Sequence, residues 1–283
     1  MSLGVLNNIS AIYAQNYLNQ TQTQLQGTLE QLSSGSRINS GADDAAGLAL
    51  ADGLSANVSA LTQSAQNASS GVGMLQTADG ALAQVTNLLN RGITLATEAA
   101  NGTLNTSQVG SADQEYQNIL TEIGNIGSTT NYNGMGVFSA TPVSIFVSDG
   151  TTSGASTFSD TIGVLTKASV GTTTGGAAGE DLTANATLDA TTASSILTSL
   201  TAAVQDVAYQ RGTIGADINQ LNAASNVAST QSVNLADAEN SIRATNYGTA
   251  TSDLAKYKVL SETGIAALSQ ANSVQQDVLK LLQ

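Results

Sequence analysis

Apolar residues recur at alternating intervals of three and four along much of the chain, and this spacing predicts long α-helices. One series covers residues 51–96 and is interrupted by two polar residues, Asp79 and Thr86. A second series, over residues 193–242, has a similar length, so the two helices are expected to pack antiparallel. A shorter series over residues 109–126 predicts a third helix. The pattern therefore favours a mainly α fold, a long antiparallel helical rod that resembles a coiled-coil bundle.

A different pattern lies between the two long helices and predicts a small β-region. The pair Asn133-Gly134 is typical of a hairpin turn, and residues 142–150 (PVSIFVSDG) have the composition of a strand. Residues 157–165 are expected to pair with that strand. Residues 167–187 are mostly Thr, Gly and Ala without periodicity, which predicts an exposed loop or a flexible tip at the outer end of the rod.

Both ends of the chain carry concentrated apolar stripes at helical spacing. Chain ends usually fray and tolerate polar composition. These stripes therefore predict amphipathic helices that pair with each other and with further chains. A self-contained terminal hairpin is the alternative. The residues assigned to packing between chains are Leu3, Leu6, Ile9, Ile12, Leu18, Leu25, Leu29, Leu32, Leu260, Ala267, Leu268, Val274, Val278, Leu279, Leu281 and Leu282.

The composition argues against several classes of function. The chain contains no His and no Cys, so the commonest general base, the commonest transition-metal ligand and thiol nucleophiles are absent. We therefore expect neither an enzyme nor a cofactor. The formal charge of −13 would repel nucleic acid and anionic membranes, and neither is expected as a partner. The N-terminus, MSLGVLNNIS, lacks the pattern of a standard signal peptide, and no segment has membrane-spanning length.

The segment RINSGADDAAG, which begins at Arg37, raises the question of a catalytic or metal site but is explained more simply as the start of a helix. We expect the Ser40 hydroxyl to accept a hydrogen bond from an amide of the first turn, while Asp43 and Asp44 favour the positive helix end. A calcium site would need further oxygen ligands at set spacing, which the sequence lacks. The residues assigned to this connector and helix cap are Arg37, Asn39, Ser40, Asp43 and Asp44.

Four stretches of the chain strongly resemble bacterial flagellin, in the same order as in that family. They are residues 32–54 (LSSGSRINSGADDAAGLALADGL), 61–85 (LTQSAQNASSGVGMLQTADGALAQV), 131–138 (NYNGMGVF) and 268–283 (LSQANSVQQDVLKLLQ). The resemblance implies terminal helices in the inner core of a tubular filament, a surrounding rod domain and a small outer tip. The corresponding segments are 1–39 (inner-core helix and connector), 40–140 (rod), 141–190 (tip), 191–245 (rod) and 246–283 (inner-core helix).

The function implied by the resemblance is that of a structural subunit, which polymerises with its own copies into the flagellar filament outside the cell. The implied partners are the flagellar export apparatus, an export chaperone, the filament cap and the hook-junction proteins. A hook-filament junction protein of the same superfamily is the nearer alternative, and an extracellular enzyme on a helical scaffold is the more distant one. The family's zinc-protease insertion requires His and is excluded here.

Flagellins are also sensed by an animal innate-immune receptor, through a motif that resembles LLNRGITLATEAANG, residues 88–102. Gly92 and Ile93 depart from the branched and basic residues usual in that motif, and Glu98 replaces an amide. The loss of a basic residue weakens complementarity to an acidic surface, so recognition is expected to be reduced. The residues assigned to this contact are Arg91, Leu95, Glu98 and Glu115.

Overall fold

The computed structural model describes residues 8–150, 156–171, 179–184 and 187–281, and this described part is mainly helical. It confirms the mainly α prediction and the three predicted helices between residues 51 and 242. The elements are α1 (Ile9–Ser34), α2 (Ala45–Ala100), α3 (Thr106–Thr129), β1 (Asn131–Tyr132), β2 (Met135–Gly136), β3 (Val143–Phe146), β4 (Thr157–Asp160), α4 (Ala193–Arg243) and α5 (Tyr247–Leu281).

The chain forms two compact units. The middle unit runs from Asn57 to Val233, and the terminal unit combines the residues up to Ala56 with those from Asn234 onwards. In the middle unit α2 and α4 are antiparallel, as predicted. Asp79 of α2 contacts Arg211 of α4, whereas Gly92, further along α2, lies against Leu200, earlier in α4.

The core of the middle unit consists of the predicted apolar series of α2 and α4 together with α3 and the residues that follow it. Because many of the buried positions are Ala, the large buried side chains are spread along the helices rather than gathered in one thick centre. Burial of these side chains stabilises the unit by roughly 1.5–3 kcal/mol each. The largest fully buried side chains of this unit are Tyr116, Leu75, Leu82, Leu89, Ile123, Leu182, Leu188, Ile196, Leu200, Ile214 and Leu221.

The predicted hairpin turn at Asn133-Gly134 is confirmed. Strands β1 and β2 are antiparallel, with Tyr132 opposite Met135, which leaves a two-residue loop. The φ angles of Asn133 and Gly134 are 51° and 78°, and two positive values identify a type I′ turn. Asn and Gly adopt these values with the least strain, so the local sequence explains the turn.

The predicted second pairing is also confirmed, because β3 and β4 are antiparallel from Val143 opposite Asp160 to Phe146 opposite Thr157. This hairpin packs on α2 at Gly71. A Cβ atom at Gly71 would overlap the buried side chain of Ile145, so the absence of a side chain allows the strand to approach the helix.

The exposed loop predicted for residues 167–187 is wrong for part of that segment. Val170 and Leu182 are fully buried in the core of the middle unit. The main chains of Val170 and Glu180 exchange two hydrogen bonds, with N–O distances of 3.1 and 2.9 Å. Isolated apolar residues in a Thr- and Gly-rich segment have no periodicity, and for this reason the sequence pattern did not indicate their burial. Residues 172–178 and 185–186 of this prediction lie outside the described part of the chain.

Candidate assembly surface of the terminal helices

Helices α1 and α5 form a close antiparallel pair in the terminal unit. The Leu18 side chain of α1 lies against Gly264 of α5, where a Cβ atom would come within 3.2 Å of Leu18 Cδ1. Near the start of α1, the Asn8 side-chain nitrogen donates to the main-chain oxygen of Ala271 at 2.9 Å. The predicted pairing of the two ends is therefore present.

This pairing leaves most of the apolar surface of the two helices uncovered. In α1 only Leu18 and Thr28 are buried. Ile9, Ile12 and Leu29 are exposed, although a closed hairpin would place such residues inside. A self-contained terminal hairpin, the alternative left open by the sequence, does not fit this exposure.

The residues assigned to packing between chains fall into four groups. Ile9, Ile12, Leu29, Leu260, Ala267 and Val274 are exposed, whereas Leu25, Leu32 and Leu268 are half-buried and Leu18 is buried. Leu3, Leu6 and Leu282 lie outside the described residues, as do the side chains of Val278, Leu279 and Leu281.

Five further exposed residues enlarge this surface and were missed by the sequence analysis. Tyr13 and Tyr17 lie on α1, and Tyr247, Val259 and Ile265 lie on α5. The signal was present, because Tyr13 and Tyr17 follow Ile9 at intervals of four. Val259 and Leu260 are adjacent and therefore point to different sides of α5, so its exposed apolar surface is not confined to one stripe.

The two terminal helices also carry almost no net charge. Helix α1 contains a single charged residue, Glu30, in 26 residues. Helix α5 contains three acids and three bases, which balance one another. The formal charge of −13 therefore resides almost entirely elsewhere in the chain. Because their net charge is close to zero, copies of these helices do not repel one another strongly when they meet.

The connector that follows α1 is hydrogen-bonded to the end of α4. Gly35, with φ 72°, ends α1 in the left-handed conformation, and its main-chain oxygen accepts from the Thr245 amide at 3.0 Å. The Arg37 amide donates to the main-chain oxygen of Arg243 at 2.7 Å. The Arg37 guanidinium donates to the Ile242 oxygen at 2.8 Å and so satisfies a carbonyl in the last turn of α4, where a cation is favourable.

The predicted role of Ser40 in capping α2 is wrong. Asp44 caps the helix: its Oδ1 accepts from the Gly47 amide at 2.8 Å, and its main-chain oxygen accepts from the Leu48 amide. Ser40 instead donates to the Asp43 carboxylate, which also accepts from the Asn39 and Ser40 amides. These bonds, led by that from the Ser40 amide, lower the pKa of Asp43. The Asp44 carboxylate, four residues closer to the helix, outcompetes the Ser40 hydroxyl for the first free amides.

Arg243 lies 3.7 Å from Glu239, one turn earlier in α4, and 3.6 Å from Asp52 of α2. These are long, partly exposed contacts, and such pairs contribute at most about 1 kcal/mol. Asp52 was not assigned to the connector, because no spacing in the sequence relates it to Arg243.

The residues aligned with the receptor motif lie in the middle unit, and they differ in how exposed they are. Arg91 of α2 donates from Nε and Nη2 to the two carboxylate oxygens of Glu115 on α3, at 2.6 and 2.9 Å. This bond raises the pKa of Arg91 and lowers that of Glu115. Glu98 is exposed. Leu95 is only 2% exposed and belongs to the core, so its assignment as a surface contact is wrong.

Within the described ranges, no group of three or more acidic side chains is arranged to hold a metal ion. No helix of the same ranges has a stretch that is both long and apolar enough to span a bilayer.

Comparisons with known proteins agree with these features. The family model for the bacterial flagellin N-terminal helical region matches residues 5–142, and the model for the C-terminal helical region matches residues 197–282. The flagellar filament 30.7 kDa core protein of Treponema maltophilum is 31% identical over 98% of both chains. Flagellin of Listeria innocua is 30% identical over 98% of this chain and 99% of the relative. The crystal structure of Bacillus cereus flagellin is 30% identical, covers 62% of this chain and 94% of its own, and superposes with a TM-score of 0.46. The chain is a member of the bacterial flagellin family.

Proposed function

We propose that this chain is a structural subunit that polymerises helically with its own copies into the bacterial flagellar filament. The observation that carries the proposal is the uncovered, nearly neutral apolar surface of α1 and α5. Covering half of an Ile or Val side chain contributes roughly 1 kcal/mol. Each subunit presents many such side chains on several sides, so contacts with several neighbours supply the free energy of assembly.

The proposed layers are those of the flagellin family, and the apolar surface of α1 and α5 supports the innermost of them. Residues 1–39 and 246–283 form the inner core, in which α1 and α5 of neighbouring subunits cover one another. Residues 40–140 and 191–245 form the surrounding layer, and residues 141–190 form the outer tip. Because apolar residues of α5 point to more than one side, each α5 is expected to contact more than one neighbour.

A filament is favoured over the junction protein kept as an alternative, because the relatives reported above are named flagellins or a filament core protein. Electron microscopy distinguishes the two, since a junction protein forms only a short ring and a filament subunit forms long polymers. No catalytic role is proposed for the chain. A screen against polysaccharides and peptides should show no turnover.

The partners in export and assembly are proposed from family membership. The chain leaves the cell through the flagellar export apparatus, after an export chaperone has covered α5. The filament cap and the hook-junction proteins then meet the two ends of the polymer. Deletion of residues 252–283 should abolish co-elution with the family's export chaperone in gel filtration, and retained co-elution would contradict this assignment.

Recognition by the animal innate-immune receptor is proposed to be weak. The motif usually has a branched side chain at the position of Gly92. Here α2 packs closely against Leu200 and Tyr116 at this point, and no side chain is available for the receptor. Ile93 lacks the positive charge usual in the motif. Ile93→Arg should therefore raise potency in a receptor-reporter assay, and Arg91→Ala should lower it. Wild-type potency equal to that of a strong activator would contradict the proposal.

The truncated chain lacking residues 1–32 and 252–283 tests the filament proposal. It retains the whole middle unit, so its circular dichroism should show cooperative thermal unfolding. It should form no filaments under conditions that polymerise the full chain. Filaments of the truncated chain in electron micrographs would refute the proposal.

Point variants with a matched control separate assembly from folding. Ile12 and Ile265 are each 55% exposed in the terminal helices, and Val227 of the middle unit is also 55% exposed. Ile12→Gln with Ile265→Gln should raise the critical concentration for polymerisation, whereas Val227→Gln should leave it near the wild-type value. An equal effect of both changes would mean that loss of apolar surface in general, rather than of this surface, affects assembly.

A further inference from the structure

The chain contains two Asn-Gly dipeptides, and the structure holds them in different environments. Asn101-Gly102 lies between α2 and α3, where residues 101–103 are all exposed. Asn133-Gly134 forms the two-residue loop between β1 and β2. We propose that Asn101 is a site of spontaneous deamidation and isoaspartate formation, and that the hairpin turn protects Asn133 from the same reaction. The proposal does not depend on the function proposed above.

The reaction needs only the chain and water. The main-chain nitrogen of Gly102 loses its proton and attacks the side-chain carbonyl carbon of Asn101. A carbon–nitrogen bond forms, and the amide nitrogen leaves as ammonia, which gives a succinimide ring. Water then opens the ring at one of its two carbonyls and produces aspartate or isoaspartate. A following Gly favours the attack because it has no Cβ to obstruct the ring.

The type I′ turn prevents this geometry at Asn133. Its φ of 51°, followed by 78° at Gly134, corresponds to a ψ of about +30° at the first central residue. At that ψ the Gly134 nitrogen lies on the far side of the Cα–C bond from the Asn133 side chain. Ring closure requires both on the same side. The residue must therefore leave the turn, which breaks the pairing of Tyr132 with Met135.

The connection at Asn101 constrains that residue less: its amide donates to the Glu98 oxygen at 3.1 Å, but Asn101 belongs to no paired strand. Helix α2 ends at Ala100, and a Cβ atom at Gly102 would meet nothing within 4 Å, so there is space around the attacking nitrogen. The Thr103 amide donates to the main-chain oxygen of Asn101. Because that carbonyl is conjugated with the Gly102 nitrogen, the hydrogen bond withdraws electron density from the nitrogen and favours loss of its proton.

The product changes the local charge and the main chain. A new carboxylate arises just after the last turn of α2, where the helix dipole disfavours negative charge and where Glu98 is already present. Isoaspartate also lengthens the main chain by one carbon atom. Both changes weaken the end of α2, so the modified chain should expose residues 99–105 to faster hydrogen exchange.

Incubation of the folded full chain at mildly alkaline pH tests the proposal. Cleavage after Glu98 and Glu115 yields a peptide of residues 99–115, and cleavage after Glu122 and Glu180 places Asn133 in a separate peptide of residues 123–180. Mass spectrometry should show deamidation at Asn101 about tenfold faster than at Asn133, which corresponds to about 1.4 kcal/mol in activation free energy. In urea the two rates should converge, because the turn is lost. Equal rates in the folded chain, or a faster rate at Asn133, would overturn the proposal.

Gly102→Ala is the matched control variant. The added Cβ fits without contacts, and the φ of Gly102 is not in the left-handed region, so the fold should be retained. The substitution should slow deamidation at Asn101 by about tenfold, equivalent to about 1.4 kcal/mol. Fragmentation of the 99–115 peptide must place the new acid at residue 101, because Asn105 lies in the same peptide. Unchanged isoaspartate in the Gly102→Ala chain would also overturn the proposal.

Discussion

The Arg211 guanidinium of α4 donates from Nε and Nη2 to the two carboxylate oxygens of Asp79 on α2, at 2.7 and 3.3 Å. Both residues interrupt the apolar series of their own helices. The structure brings the two interruptions together, so each charge compensates the other where the helices meet. A displaced register would place either charge against apolar residues, and the pair therefore helps to fix the alignment of α2 and α4.

Removal of one member of this pair should cost more than removal of both. Asp79→Leu or Arg211→Met leaves an unpaired charge beside the core and should lower the free energy of unfolding by about 1 kcal/mol, since the pair is partly exposed. The double variant should be more stable than the sum of the two losses predicts. Urea denaturation of all four chains measures the coupling, and additive losses would show that the two residues do not act as a pair.

Gly127→Ala should destabilise the middle unit strongly. The added Cβ would overlap the main-chain oxygen of Leu165, which cannot move without displacing the segment after β4. Gly124→Ala in the same helix is the control, because its Cβ meets nothing within 4 Å and helix propensity favours Ala by about 1 kcal/mol. Thermal unfolding should therefore shift in opposite directions for the two variants. A stabilising Gly127→Ala would contradict the close packing of α3 against Leu165.

Asp44→Ala should destabilise the start of α2 by about 1 kcal/mol, because the Gly47 amide loses its acceptor. Asp44→Asn retains an acceptor oxygen and should lose much less. Ser40→Ala removes a hydroxyl that donates to Asp43 and should have the smallest effect. Hydrogen exchange of the first turn of α2 measures the three changes. A larger effect of Ser40→Ala than of Asp44→Ala would restore the capping role that the sequence predicted for Ser40.

Acidification from neutral pH should stabilise the middle unit until Asp217 is protonated. Burial, followed by the charge and a hydrogen bond of Asp160, raises the pKa of Asp217 from its ordinary value to about 6. A raised folded-state pKa means that the folded state binds a proton more tightly, so this stabilisation is lost as pH rises from about 4 to about 6. Asp217→Asn should therefore raise the melting temperature at pH above about 7 and change it little near pH 4. An equal shift at both pH values would rule out titration as the cause.

Periodicity predicted the long helices because their apolar series continue over many turns, and Asn133-Gly134 predicted its turn because few residues adopt that conformation. The pattern did not predict burial of Val170 and Leu182, since two isolated apolar residues have no period. The resemblance to the receptor motif was also wrong for Leu95, because a motif shared with a family does not state which face of a helix is covered. Ion pairs such as Asp79 with Arg211 depend on the register of distant segments, which single-helix patterns leave undetermined.

The distribution of charge has a consequence for the subunit before assembly. Terminal helices that are nearly neutral and apolar would by themselves make the monomer precipitate at the concentrations that polymer growth requires. Most of the acidic residues lie outside those helices, and the charges within the helices nearly balance, so the net negative charge keeps free monomers apart without adding net repulsion where the monomers must touch. Added salt screens this repulsion and should therefore promote polymer growth. If ion pairs held the subunits together instead, added salt would weaken the contacts and dissolve the polymer.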